Sequence, residues 1–280
     1  MENYSNFLGL GIAGNFALHL AQAGELEEFK EIITAEEAAP KGMFPFYLPN
    51  KPKTAAKSIL QTYPLSSDTI QLPQKNVNVQ AEPEVGLLCD LEYVAGKISK
   101  ITPTHFTAYN DCSIRVAGAD KISDKKNWGT SSKGMSATLF AIDKFSDGGV
   151  MDDFSICSFL KRNGELKAYG ENVALCGYSY FYEKLTQWMQ EQINTQKDFG
   201  PLEPLSEYIQ ACGFPSKAII SIGATRYTPY GESTFLQAGD VVVIAVYNSE
   251  KISYEKMQEA IKNNTYDTKN MSILVQKVLK

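Results

Sequence analysis

Residues 77–118 limit what this chain can become more than any other stretch. VNVQAEPEVGLLCDLEYVAGKISKI and THFTAYNDCSIRVAG are dense in β-branched and aromatic residues, with Gly96 and Gly118 as punctuation. Such runs form successive strands. A chain with that much strand in its middle must build sheets, and the flanking segments must cover them. At the mouth of the first run, Glu82 and Glu84 stand two residues apart in QAEPEVGLL. Residues two apart in a strand share a face, so these carboxylates lie side by side. Unpaired, they would repel and raise each other's pKa, a cost that a divalent cation between them removes. The spacing alone does not single out a site, since Glu25/Glu27 and Asp90/Glu92 repeat it among 32 acidic residues.

The next strand, HFTAYNDCSIRV, adds to the argument. Alternation puts His105, Thr107, Tyr109, Asp111, Ser113 and Arg115 on one face, and an Asp, a Ser and an Arg on an otherwise apolar strand need partners if buried. Asp111 supplies a third hard oxygen ligand. Three carboxylates without clustered histidine or thiolate suit Mg²⁺, Mn²⁺ or Ca²⁺ rather than zinc. The competing reading is an Asp111–Arg115 salt bridge at a sheet end.

Around this centre the pattern predicts an α+β chain, mostly β. Residues 8–12 read as a buried strand that turns at Gly14, and 16–30 as a helix. Prolines 40, 45, 49, 52, 64 and 73 predict an irregular lead. The division expected is a lead or cap segment over 1–75 and a catalytic domain over 76–280. Strands are expected at 137–140, 154–161 and 164–166, with Asn163-Gly164 as a hairpin turn. Helices are expected at 180–195 and 254–262. FLQAGDVVVIAVYN and MSILVQKVL read as the last strands.

Composition removes several classes of partner. The net charge is −5 with no block of clustered Lys and Arg, which leaves electrostatic binding of nucleic acid or anionic lipid without support. No apolar run approaches the roughly 20 residues of a membrane span, and Glu2 stands where a signal peptide wants cations. A cytoplasmic location is therefore expected. Five scattered cysteines without a C-x-x-C pair read as reduced thiols.

Seven fragments, in order along the chain, resemble the fumarylacetoacetate hydrolase superfamily. Gly14 to His19 resembles its G-x-N-Y-x-x-H turn, EPEVGLL its E-x-E strand, and YNDCSIR its N-D-x-S-x-R segment. KNWGT is similar to K-x-F-D/G-T, NGEL to the family hairpin, SIGAT to its T-G-T region and FLQAGD to F-L-K-P-G-D. The wording resembles that of an uncharacterised bacterial subgroup. The resemblance implies a β-roll core with a smaller N-terminal α/β lead, usually a homodimer, binding Mg²⁺ or Mn²⁺ through Glu82, Glu84 and Asp111. It implies a small 2-oxo or 1,3-dicarbonyl acid as substrate, chelated so that the cation stabilises developing enolate charge during hydrolysis, decarboxylation or tautomerisation. Lys126 and Arg115 would face that charge, and His19 would be the general base. Asn15, Ser113, Thr130, Gly223 and Thr225 would contact substrate. His105 has no counterpart in the pattern and reads as structural.

The departures are equally specific. Gln22 stands where acylpyruvate hydrolases of the superfamily carry the glutamate that orients the histidine. Val116 and Gly118 replace polar residues after the arginine, the threonine after Gly223 is absent, and FYLPN lacks the lysine of F-x-K-P. Metal ligands and Lys126 persist while groups that drive water attack have changed. This favours the same fold and metal with a different substrate or reaction. The alternative is a non-catalytic protein that binds metal and a carboxylate metabolite.

Overall fold

The structure, a computed structural model, describes residues 4–17, 19–53, 56–116 and 118–280. Glu2 of the leader argument and Leu18 of the first motif lie outside the described residues. The chain is α+β and mostly β, as its pattern predicts. Among the described residues the strands form a large mixed sheet, a five-stranded sheet and a two-stranded ribbon. The large sheet runs in the order 42–47, 8–13, 217–221, 83–94, 97–110, 133–135 and 65–66, with 140–141 also paired to 97–110. The second runs 165–174, 154–162, 241–248, 271–279 and 69–71.

The apolar pattern explains these positions. VVVIAVYN of 241–248 is apolar on both faces, and it lies between two partner strands with every residue after Val241 buried. The inner faces of the two sheets meet in one core that includes Leu87, Phe106, Ile156, Ile244 and Val246. Truncating a side chain such as Leu87, which is fully buried, would cost roughly 2–5 kcal/mol. Helix Tyr182–Thr195 covers this core with Leu185, Met189 and Ile193. Asn194 ties it to the sheet by exchanging two hydrogen bonds with the backbone of Ile98.

Several expectations are corrected. The proline-rich lead contains a fully buried strand, Gly42–Tyr47, paired with 8–13. Pro45 is tolerated because the strand is the outermost of its sheet and the register shifts where Pro45 faces Leu10. A Cβ on Gly9 or Gly11 would fall 2.4 Å or 2.3 Å from the rings of Phe46 or Phe44, so glycine lets those rings lie across the neighbouring strand. The helix expected over 16–30 is only a turn, His19–Gln22, and a 3₁₀ turn, Leu26–Phe29. Gly24, at φ +72°, separates them. The strand expected over 137–140 is reduced to Phe140–Ala141. The strand read through 105–115 ends at Asn110, and Ser113–Arg115 pairs instead with Asn78–Gln80. Simple alternation therefore fails beyond Asn110.

Candidate metal centre

Strands 8–13 and 217–221 are parallel, and 83–94 runs against the latter, so two strand ends and one strand start meet at one rim of the sheet. Strand 97–110 finishes at the same rim, with Asn110 opposite Pro83. Glu82, Glu84 and Asp111 leave these ends and converge there. Each offers a carboxylate oxygen, and these oxygens lie within 4.8 Å of one another. All three residues are at most 2% exposed. Asn110 fixes the junction: its Oδ1 accepts from the Glu82 N–H at 3.1 Å, and its Nδ2 donates to Gln276 Oε1 at 2.9 Å.

Three cations pair with these carboxylates, and a fourth, Lys125, lies in the adjoining network. Lys126 Nζ lies 2.5 Å from Glu82 Oε2 and 2.6 Å from Asp111 Oδ2. Lys133, fully buried, pairs with Asp111 Oδ1. Arg115 Nη2 lies 2.7 Å from Glu82 Oε1 as an ion pair and donates to the Tyr227 hydroxyl at 3.1 Å, while Nη1 donates to Glu25 Oε1 at 2.8 Å and Nε to Gln80 Oε1 at 2.7 Å. Lys125 bridges Glu25 and Glu28, at 2.7 Å each. The Asp111–Arg115 bridge weighed from the strand pattern is replaced by these pairs. Lys125 and Lys126 are buried, so neither is a solvated loop lysine. A cavity of about 170 Å³, lined in part by Gly24, Glu25, Arg115 and Lys125, opens beside this network.

Burial alone would raise the Glu82 carboxyl, but Lys126 and Arg115 overcome it and hold the group well below its usual range. Glu84 goes the other way: burial, then the facing charge of Asp111, pushes it well above an ordinary carboxyl. Its Oε2 accepts from the Gly223 N–H at 2.9 Å. Burial works against the Lys126 ammonium, yet Asp111 and Glu82 hold its pKa above the usual value. Burial lowers Lys133, against the pull of Asp111.

His19 is buried, and its Nδ1 lies 3.0 Å from the carbonyl oxygen of Thr225. A carbonyl only accepts, so Nδ1 carries the hydrogen and Nε2 is left as the basic nitrogen. Burial lowers its pKa to about 4, partly opposed by Glu82. Gln22 does not orient this ring: its amide is engaged with the N–H and carbonyl of Tyr227. Asn15 donates to the carbonyls of Tyr180 and Ile222 and accepts from the Tyr180 N–H, which latches three loops behind the site. Thr225 is buried against Pro83. Ser113 is buried, and its Oγ has no hydrogen-bond partner among the described residues. Thr130 is exposed, in an outer groove with Pro73 and Trp128. His105 is half-buried, with Nδ1 3.2 Å from Thr104 Oγ1.

Lys133, Glu25 and Gln80 were not found by sequence reasoning. Their partners lie 22, 90 and 35 residues away along the chain, and no local spacing signals such pairs. The donor set nevertheless fits a divalent cation, being three buried hard-oxygen carboxylates whose mutual crowding already perturbs Glu84.

Residues 25–278 match a family described as a family of unknown function, DUF5718. The chain belongs to that family. No curated protein matches this DUF5718 chain. Its fold is similar to three solved structures among others. A 2-keto-3-deoxy-D-arabinonate dehydratase complexed with magnesium and 2,5-dioxopentanoate has a TM-score of 0.54 at 16% identity, over 98% of this chain and 73% of that one. A 5-carboxymethyl-2-hydroxymuconate delta-isomerase from Mycobacterium smegmatis has 0.51 at 13%, over 97% and 78%. A protein from Yersinia pestis CO92, described as of the fumarylacetoacetate hydrolase family, has 0.50 at 14%, over 85% and 88%. At such identities the likeness carries the fold, and the fold is the one the sequence motifs imply. No helix among the described residues is long and apolar enough to cross a membrane.

Proposed function

We propose that this DUF5718 chain is a divalent-metal-dependent enzyme acting on a small 2-oxo or 1,3-dicarbonyl acid, a homodimeric member of the fumarylacetoacetate hydrolase superfamily. The observation that carries the reading is the buried convergence of Glu82, Glu84 and Asp111 at one sheet rim. A magnesium-bound dehydratase on a similar fold supports it. Glu82, Glu84 and Asp111 would hold Mg²⁺ or Mn²⁺, which supplies Lewis-acid polarisation of a carbonyl and stabilisation of enolate charge.

The chain's own groups favour lyase or tautomerase chemistry over hydrolysis. His19 enters the reaction neutral, with its hydrogen committed to Thr225 and Nε2 as proton acceptor. Its Nδ1 rests on a carbonyl rather than a carboxylate, so no full charge within that hydrogen bond supports an imidazolium, and activating water is the harder task. Abstraction of a proton next to a carbonyl already polarised asks less of it. Lys126 and Arg115, both paired with Glu82, would supply positive charge toward a developing enolate bound at the ion.

The test is calorimetric titration of metal-stripped protein with Mg²⁺ and Mn²⁺, with and without oxalate as an enolate mimic. Metal-dependent oxalate binding that is lost in Glu84→Ala is the expected result. Absence of metal binding in the wild type would remove the catalytic reading. Light scattering checks the dimer.

A further inference from the structure

Cationic nitrogens lie at ion-pair distance from both oxygens of Glu82 and both of Asp111, while Glu82 Oε1 and Asp111 Oδ2 have no hydrogen-bond partner among the described residues. Arg115 takes Glu82 Oε1, Lys126 takes Glu82 Oε2 and Asp111 Oδ2, and Lys133 takes Asp111 Oδ1. Gly223 takes one oxygen of Glu84. The two lysines differ in kind. Lys133 stands in the strand Lys133–Met135 and makes a second contact to the Asp111 carbonyl at 3.4 Å, and each lysine lies over one ring, Lys133 over Phe46 and Lys126 over Phe44. Lys126 is the residue that closes a short 3₁₀ turn, and its Nζ bridges two carboxylates that belong to different strand ends. A single ammonium paired with two carboxylates of a three-carboxylate cluster competes for the oxygens that a divalent ion held by that cluster requires.

We propose that Lys126 is the resident cation of the metal centre. The divalent ion enters by exchange: the ammonium leaves Glu82 and Asp111, while Lys133 stays as the fixed counter-charge that presents Asp111 through Oδ2. This rests on the metal reading above. It makes the lysine a competitor of the ion, so the centre trades metal affinity for a pre-formed, charge-balanced pocket. An ion gained is then a lysine released, and the released ammonium is the cation free to meet an anionic substrate.

The experiment is Mn²⁺ titration of metal-stripped protein, followed by the electron paramagnetic resonance of free Mn²⁺, on wild type, Lys126→Met and Lys133→Met. Exchange predicts that Lys126→Met binds Mn²⁺ about tenfold tighter or more, equal to roughly 1.4 kcal/mol. Lys133→Met, which removes the same charge without vacating the bridge, gains clearly less. Equal or weaker binding by Lys126→Met beside a wild type that binds overturns the exchange and leaves the metal centre standing. No binding by either protein overturns both. A second measurement needs no variant: acetic anhydride labelling of wild type, read by peptide mass spectrometry. Saturating Mn²⁺ should accelerate labelling of Lys126 and leave Lys133 unchanged. Slower or unaltered labelling of Lys126 overturns the proposal.

Discussion

At Gly223 the backbone has φ +108°, and a Cβ there would come within 3.0 Å of the Asn15 Cβ. The same residue donates its N–H to Glu84 and accepts at its carbonyl from the Tyr178 hydroxyl at 2.8 Å. A side chain at this position must strain the backbone or push Asn15 from its latch, at about 1–3 kcal/mol. Gly223→Ala should therefore lower the melting temperature by roughly 2–10 °C and weaken Mn²⁺ binding, because the Glu84 carboxyl loses its fixed donor. Unchanged melting and unchanged affinity together would sink the argument. Gly223 and the E-x-E pair were legible because their demands are local: a glycine where φ is positive, and two carboxylates on one strand. Lys133 was not, since a lysine in SSKGMS becomes a buried partner only when Asp111 arrives from just beyond the end of another strand.

Asn110 acts between elements of the fold. It ends the strand 97–110, accepts from Glu82 at the start of the neighbouring strand, and donates to Gln276 in the last strand of the other sheet. One amide thus sets the register of two strand ends against the second sheet. Asn110→Ala leaves a buried N–H and the Gln276 oxygen without this partner, at about 1–3 kcal/mol. The variant should melt lower and bind Mn²⁺ more weakly, with oxalate binding reduced in proportion. A melting curve that matches the wild type would show that the sheets set this junction without Asn110. Elements whose signals are internal were readable in advance. The Asn163-Gly164 hairpin has both residues at positive φ, 51° and 84°, as its two-residue turn requires. The helix 182–195 and the strand 271–279 announce themselves by periodicity. Strand 42–47 did not, because the tolerance for Pro45 comes from an outermost position that only the assembled sheet defines.

Across the whole molecule, two buried groups titrate against each other. Burial raises the Glu203 carboxyl to about 7, opposed by its hydrogen bond from Ser123 at 2.7 Å. The unfolded chain releases that proton near the ordinary 4.5, so Glu203 contributes stability that is full below 4.5 and lost as pH rises through 7. His19 has the opposite sign. Its folded form stays neutral down to about 4, whereas unfolded histidine takes up a proton near 6.5. Its contribution is full above 6.5 and lost as pH falls toward 4. In the window between about 4.5 and 6.5 the two slopes, each about 1.4 kcal/mol per pH unit, oppose one another. Glu203→Gln removes one of them. The stability of this variant relative to wild type should improve as pH rises from 5 to 7, by roughly 2–3 kcal/mol in all, as read by urea unfolding at fixed temperature. A difference that does not change with pH would mean that Glu203 titrates as an ordinary carboxyl. Ser123 belongs to the turn Ile122–Lys125 that Lys126 closes, so its hydrogen bond joins the titrating Glu203 carboxyl to the loop that carries Lys126.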